Sequence, residues 1–353
     1  MRADSRSILA LVMDRGQGKV ARFTLDGRMT MLADQLAGNS LDRPYSGGEY
    51  HHARGTIAVI TADSSRPGDI GIVRNGRTVR LTDLNADLLA VRKLGEVRKL
   101  PVTSSRDGQP INTWVVLPPD YRPGEKRPAI LEIHGGPSLS YGPNFATDMQ
   151  LYAAAGYVVI YPNARLSTSY GQKFSTNPDP KEPFVDTADF LSAVDSAVAA
   201  GFADPANLFV TGGSYGGYAT AALIGQTDRF RAAALQKPVI NWVSKILNTD
   251  IIADQHQYTY GKQPWDNPEI LWRNSPLSLV GKVQTPTFLV VGERDYRTPI
   301  SEAEQYYGAL QLRGIPSGLM VIPNTSHSLN VRPSYSALKA SAILAWFERY
   351  KTK

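Results

Sequence analysis

The feature that most constrains this chain runs over residues 208–220, Leu-Phe-Val-Thr-Gly-Gly-Ser-Tyr-Gly-Gly-Tyr-Ala-Thr. Leu208, Phe209 and Val210 form a short apolar β-prone run, which reads as a buried strand. After Ser214 the sequence becomes helix-prone, with Ala219, Ala221, Ala222 and Leu223. Between the two lies Gly212-Gly213-Ser214-Tyr215-Gly216-Gly217, a G-x-S-x-G pattern in the context of strand, tight turn and helix. A serine on such a turn needs neighbours without Cβ atoms, so that strand and helix can pack closely. The turn raises the hydroxyl above the sheet edge and directs a helix N-terminus at the site, where developing negative charge is favoured. A glycine-rich β-to-α turn with an incidental serine is the plainer interpretation, and the serine's partners decide against it.

Alternation of strands and helices around this stretch implies an α/β fold with a mostly parallel sheet covered by helices on both faces. Strands are expected at 111–117, 129–133, 157–161, 208–211, 231–235, 287–291 and 319–322. Helices are expected at 145–155, 184–200 and 334–350. Residues 239–272 are irregular and aromatic-rich, an excursion over the active-site face. Active-site groups then belong at the carboxyl ends of the strands. Residues 1–96 read differently, as an all-β segment. Short β-prone runs at 7–13, 19–25, 29–33, 56–62, 70–74 and 78–81 are separated by turn signals such as Asp26-Gly27 and Asn75-Gly76. Two of these runs end alike, hinting at a repeat of about 45–50 residues, the range of propeller blades. The division is therefore 1–96, a partial propeller segment, and 97–353, the catalytic α/β unit, with 97–109 a link between them.

Bulk composition excludes several functions. The 353 residues contain no cysteine, which removes disulfides, thiolate catalysis and cysteine metal sites. The net charge is +6, but basic residues are interleaved with acids, so no nucleic-acid footprint is expected. No apolar run approaches the roughly 20 residues needed to span a membrane. No signal peptide is recognised, and the default location is the cytoplasm. No cofactor or metal is called for.

A serine on this kind of turn takes its acid and then its histidine later in the chain. Of the five histidines, that order removes His51, His52 and His134. His256 lies in the excursion with no strand end nearby. His327 follows the strand at 319–322 and is the expected base. Asp295, in Gly292-Glu293-Arg294-Asp295-Tyr296-Arg297, follows the strand at 287–291 and is the expected acid, with Glu293 the nearest rival. A cap on the helix starting near Pro299 is the alternative role for Asp295. The oxyanion donors are expected from the N–H of Tyr215 and from the loop His134-Gly135-Gly136-Pro137. Trp242, Tyr258, Tyr260, Trp265 and Trp272 either line the substrate pocket or belong to the core.

With these four motifs in order, residues from about 95 to 350 resemble the catalytic domain of the prolyl oligopeptidase family, in its acylaminoacyl-peptidase and dipeptidyl-peptidase branch. The resemblance implies an α/β-hydrolase that cleaves short peptides or acylated aminoacyl substrates with Ser214, Asp295 and His327. It implies Gly136 as the second oxyanion donor beside Tyr215, and Arg297 as a ligand of a substrate carbonyl. Two departures stand out. The all-β segment corresponds to only the last two blades of a propeller, so the sequence looks truncated. In Asn163-Ala164-Arg165-Leu166-Ser167-Thr168-Ser169-Tyr170-Gly171, relatives more often have glycine near Leu166. Carboxylesterase action on small esters is the alternative within enzymes. A silent interaction module is the alternative of another class. Exposed blade faces make homo-oligomerisation an expectation.

Overall fold

The computed structural model describes residues 6–38, 40–176, 182–252 and 263–352. Among the described residues the strands form three sheets. The first is an antiparallel meander of β1 (Ser7–Asp14), β2 (Gln17–Thr24) and β3 (Met29–Ala33). The second is a four-stranded meander of β4 (Tyr50–Ala53), β5 (Thr56–Asp63), β6 (Arg66–Arg74) and β7 (Arg77–Arg80). Val20, Ala33, Leu36, Ile57 and Val59 form their shared apolar cluster. The Asp26-Gly27 and Asn75-Gly76 signals fall in the β2–β3 and β6–β7 turns. A short helix, α1 (Ala86–Ala90), follows.

The third sheet has eight strands in the order β15-β14-β13-β12-β10-β11-β9-β8. They are β8 (Val97–Leu100), β9 (Asn112–Val116), β10 (Arg127–Ile133), β11 (Val158–Asn163), β12 (Ala203–Gly213), β13 (Ala232–Gln236), β14 (Thr287–Gly292) and β15 (Ser317–Ile322). From β11 through β15 neighbouring strands are parallel, and β8 and β9 join antiparallel at one edge. The helices are α2 (Thr147–Ala154), α3 (Gln172–Ser175), α4 (Thr187–Ala199), α5 (Tyr215–Ile224), α6 (Trp242–Lys245), α7 (Pro268–Arg273), α8 (Ile300–Leu312) and α9 (Pro333–Tyr350). One face of the sheet packs against α4, α5 and α8 through Phe190, Leu223 and Tyr306. The other packs against α2 and α9 through Met149, Tyr152, Ile343 and Phe347. Strands buried on both faces read as continuous apolar runs, which is why β10 to β14 were legible.

Besides the helix α1, which lies in a stretch read as all-β, and the unexpected α3, three segments differ from the sequence reading. Residues 97–100, expected as a link, form the edge strand β8. Its Arg98 and Lys99 are exposed, as edge strands allow, and their charge hides the strand from an apolar-run criterion. Tyr50-His51-His52-Ala53 forms β4 by pairing with β5, a tertiary effect that the composition of four residues does not carry. The excursion after β13 contains the short helices α6 and α7, each started by an asparagine: Asn241 and Asn267 accept N–H bonds from Val243 and Ile270.

Candidate active site

Ser214 sits between β12 and α5 with φ 61°, in the left-handed region that side chains other than glycine enter only under strain. Its N–H donates to Gln236 O at 2.9 Å, and its carbonyl accepts from Tyr218 N at 3.0 Å, the first turn of α5. The motif glycines are required by contact. A Cβ on Gly216 would collide with Ile133 O of β10, and one on Gly212 would meet the Gly216 carbonyl. Close passage of the helix start across two strand ends thus fixes the geometry of the turn.

Asp295 and His327 follow β14 and β15. His327 Nδ1 and Asp295 Oδ2 are 2.8 Å apart. Asp295 is buried. Its Oδ1 accepts from Arg297 N at 3.0 Å and Thr298 N at 2.9 Å, and the Thr298 hydroxyl donates to Oδ2 at 3.0 Å. These bonds lie in the turn before α8, whose N-cap is Pro299, so the carboxylate does not cap the helix. The rival Glu293 accepts from Asn324 N at 2.7 Å, which ties it to the loop carrying His327 and not to the imidazole. Burial holds the imidazole of His327 below its ordinary range. The Asp295 hydrogen bond pulls the other way, and the Lys237 charge adds to the lowering.

A cavity of about 310 Å³ is walled by Ser214, Tyr215, Gly136, His327, Trp242 and Arg297, together with residues from the neighbouring loops. The Ser214 hydroxyl makes no hydrogen bond among the described residues. Bonds between nucleophile and base often tighten only when substrate is bound. Gly136 has φ 128°, and a Cβ there would lie 2.7 Å from Ser138 N, so only glycine fits. Among the described residues its N–H makes no hydrogen bond, leaving a donor on the cavity wall. Tyr215, the first residue of α5, lines the same cavity. The Tyr215 hydroxyl donates to the buried Asp186 carboxylate at 2.8 Å, and burial raises that carboxyl to about 7.

Arg297 reaches the cavity while pairing with Asp250 at 2.6 Å. Of the candidate aromatics, Trp242 lines the cavity. Trp265 and Trp272 are exposed, and neither lines it. Tyr258, Tyr260 and the rejected His256 lie outside the described residues. His134 is buried and held by Gly135 O and the Ser167 hydroxyl, each at 2.8 Å; burial lowers it to about 4. It is a neutral strut of the loop carrying Gly136.

Lys237, Lys245 and Tyr45 are among the cavity residues that escaped the sequence reading. Lys237 Nζ donates to His327 O at 2.7 Å, Lys237 O accepts from the Thr298 hydroxyl at 3.0 Å, and Lys237 N donates to Val290 O at 2.6 Å. One residue after β13 therefore ties together the loops of Asp295 and His327. Burial and the nearby charges of Arg43 and Lys339 lower its ammonium to about 7. Lys245 lies over the Trp242 ring, 5.1 Å from its centroid. Tyr45 enters the cavity from the segment before β4. A lone lysine or tyrosine carries no motif, and each is brought in by tertiary contact. The glycine expected near Leu166 also finds its reason, since Leu166 and Ser169 both stand at φ 77°.

Sheet order, helices on both faces and the strand–turn–helix at Ser214 define an α/β-hydrolase. Comparison with known proteins sharpens that class. The profile of the prolyl oligopeptidase family matches residues 143–353, and the chain belongs to that family. It is 37% identical over 250 residues to an uncharacterized peptidase, YuxL, of Bacillus subtilis, covering 70% of this chain and 38% of that protein. It is 36% identical over 236 residues to an acylamino-acid-releasing enzyme of Arabidopsis thaliana, covering 64% of this chain and 31% of that enzyme. In structure it resembles the acylaminoacyl peptidase of Pyrococcus horikoshii with a TM-score of 0.86 and 23% identity, over 99% of this chain and 55% of that one. The chain thus spans about a third of the length of these curated relatives.

Proposed function

We propose that this chain is a serine peptidase that cleaves short peptides or acylated aminoacyl substrates through an acyl-enzyme. The observation that carries the reading is the His327–Asp295 bond of 2.8 Å, with the imidazole on the same cavity wall as Ser214. His327 Nε2 takes the proton of Ser214 Oγ as the oxygen attacks the scissile carbonyl. The Gly136 and Tyr215 N–H groups hold the resulting oxyanion. The imidazolium then protonates the leaving amine as the C–N bond breaks, and water repeats the sequence to free the acid. Asp295 keeps the proton on Nδ1 and stabilises the imidazolium without taking its proton. Arg297 offers its guanidinium to a substrate carbonyl, and Trp242 provides an apolar wall. Acylamino-acid-releasing enzymes and dipeptidyl-peptidase 5 are among the relatives, which supports a peptide substrate over a simple ester. We place the boundary of the catalytic unit at residue 97, where the strands of the large sheet begin. The test is Ser214→Ala, which should lower kcat on a peptide anilide by on the order of 10³ or more. Near-wild-type turnover would remove the mechanism.

A further inference from the structure

The segment before β4 does more than precede the hydrolase. Residues 43–46 run antiparallel to residues 140–142, directly after the loop that carries Gly135 and Gly136. Tyr45 bridges Tyr141, Ser46 N donates to Ser140 O at 2.8 Å, and Gly142 N donates to Pro44 O at 2.7 Å. The Tyr45 and Tyr141 rings pack with centroids 5.0 Å apart. Beneath them Arg43 is buried. It pairs with Glu132 of β10 at 3.1 Å and donates to Gln236 of β13 at 2.6 Å, the strands on either side of β12. This anchoring brings the Tyr45 phenol oxygen within 2.8 Å of Gly135 N, where it accepts that N–H. A point one bond from Gly135 Cα lies 3.0 Å from the Tyr45 hydroxyl and 3.4 Å from Ser214 Cβ, so the glycine is wedged between phenol and nucleophile.

We propose that Tyr45 is a positioning residue of the oxyanion hole: its phenol oxygen holds the Gly135 N–H and so fixes the next peptide, which presents the Gly136 N–H to the cavity. The chemistry favours this division of labour. In a glycine pair, neither residue restricts its own backbone, so the direction of the Gly136 N–H must be set from outside. Directed donors are worth most where water is excluded and no reorganisation is needed as charge develops. His134, bonded to Gly135 O and Ser167, restrains one side of the same loop, and Tyr45 restrains the other. The catalytic centre is therefore assembled from both parts of the chain, and residues 43–46 belong to it. Tyr45 supplies no motif glycine and takes no proton from the substrate. It acts through Gly136, so its loss should weaken the transition state and leave ground-state binding alone.

This inference rests on the proposed role of Ser214, and the experiment separates the two. The full chain is compared with Tyr45→Phe, which keeps the ring on Tyr141 and removes the oxygen, and with Ser214→Ala. Each is assayed on a peptide anilide, and the wild type and Tyr45→Phe also for inhibition by a peptide aldehyde, whose hemiacetal places an oxyanion in the hole. The expected result for Tyr45→Phe is a fall in kcat of about tenfold or more with KM unchanged. Aldehyde affinity should fall in the same proportion as kcat/KM. A kcat and an aldehyde affinity within twofold of wild type, with Ser214→Ala inactive, would overturn the role of Tyr45 alone. So would a raised KM with unchanged kcat, which would make the phenol a binding wall. Full activity in Ser214→Ala would overturn the underlying mechanism instead. If Tyr45→Phe does not fold, 4-fluorophenylalanine at position 45 keeps the shape and replaces the oxygen by a much weaker acceptor. A severalfold lower kcat is then expected, and an unchanged kcat overturns the proposal.

Discussion

His327 carries the sharpest residue-scale expectation. In the proposed mechanism the base must be neutral to accept the Ser214 proton, so kcat/KM should fall as the imidazole protonates. Burial and the Lys237 charge hold that protonation below the ordinary value of 6.5, against the Asp295 bond. The acid limb of the pH–kcat/KM profile should therefore lie below pH 6.5. Lys237 titrates near 7 and is cationic on that limb, where its charge disfavours the imidazolium. Lys237→Met removes this repulsion, so the limb should move to higher pH. A limb that stays in place or moves down would show that Lys237 does not govern the charge on His327. Ser214, Asp295 and His327 could be singled out as candidates because each follows an apolar strand in a recognisable loop. Lys237 could not, because its importance lies in three bonds to loops distant in sequence.

At the scale of elements, the junction of β12 and α5 is the most constrained part of the molecule. The helix starts where it can cross the ends of β10 and β13 without side chains between them. Gly216→Ala would place a methyl group against Ile133 O, and backbone cannot yield as a flexible side chain can. Overpacking of this kind costs about 1–3 kcal/mol or more. Denaturant unfolding should register that loss, with activity falling further because Ser214 moves with the turn. Unchanged stability and turnover would mean that the junction is looser than its contacts imply. The sequence signals for this junction were strong, since strand, glycines and helix stand in one stretch. The edge strand β8 and the short strand β4 were weak signals, because pairing partners define them and neither shows an apolar pattern.

For the molecule as a whole, buried charge joins the first part of the chain to the hydrolase. Lys339 of α9 is 1% exposed and pairs with Asp148 of α2 at 2.6 Å and with Asp42 at 3.5 Å. The charges of Arg43 and Lys339, with a hydrogen bond from Ser40, bring Asp42 down to about 2 against the opposing effect of burial. Lys339→Met would leave the buried Asp148 without its cation, and removing one partner of a buried pair costs about 3–5 kcal/mol. Chemical unfolding should show that loss, and a change below about 1 kcal/mol would mean that Asp148 does not depend on Lys339. No described helix is long and apolar enough to cross a membrane. The family was readable from four motifs in order. The packing of residues 43–46 against residues 140–142 and Gly135 was not, because it depends on how two parts of the chain meet. The most direct test of the mechanism is kcat/KM on an N-acyl-aminoacyl anilide and on a matched short-chain p-nitrophenyl ester, with Ser214→Ala as the blank. Substantial anilide cleavage that vanishes in the variant is expected if His327 is aligned to protonate the leaving amine. Ester cleavage without anilide cleavage would contradict the peptidase reading.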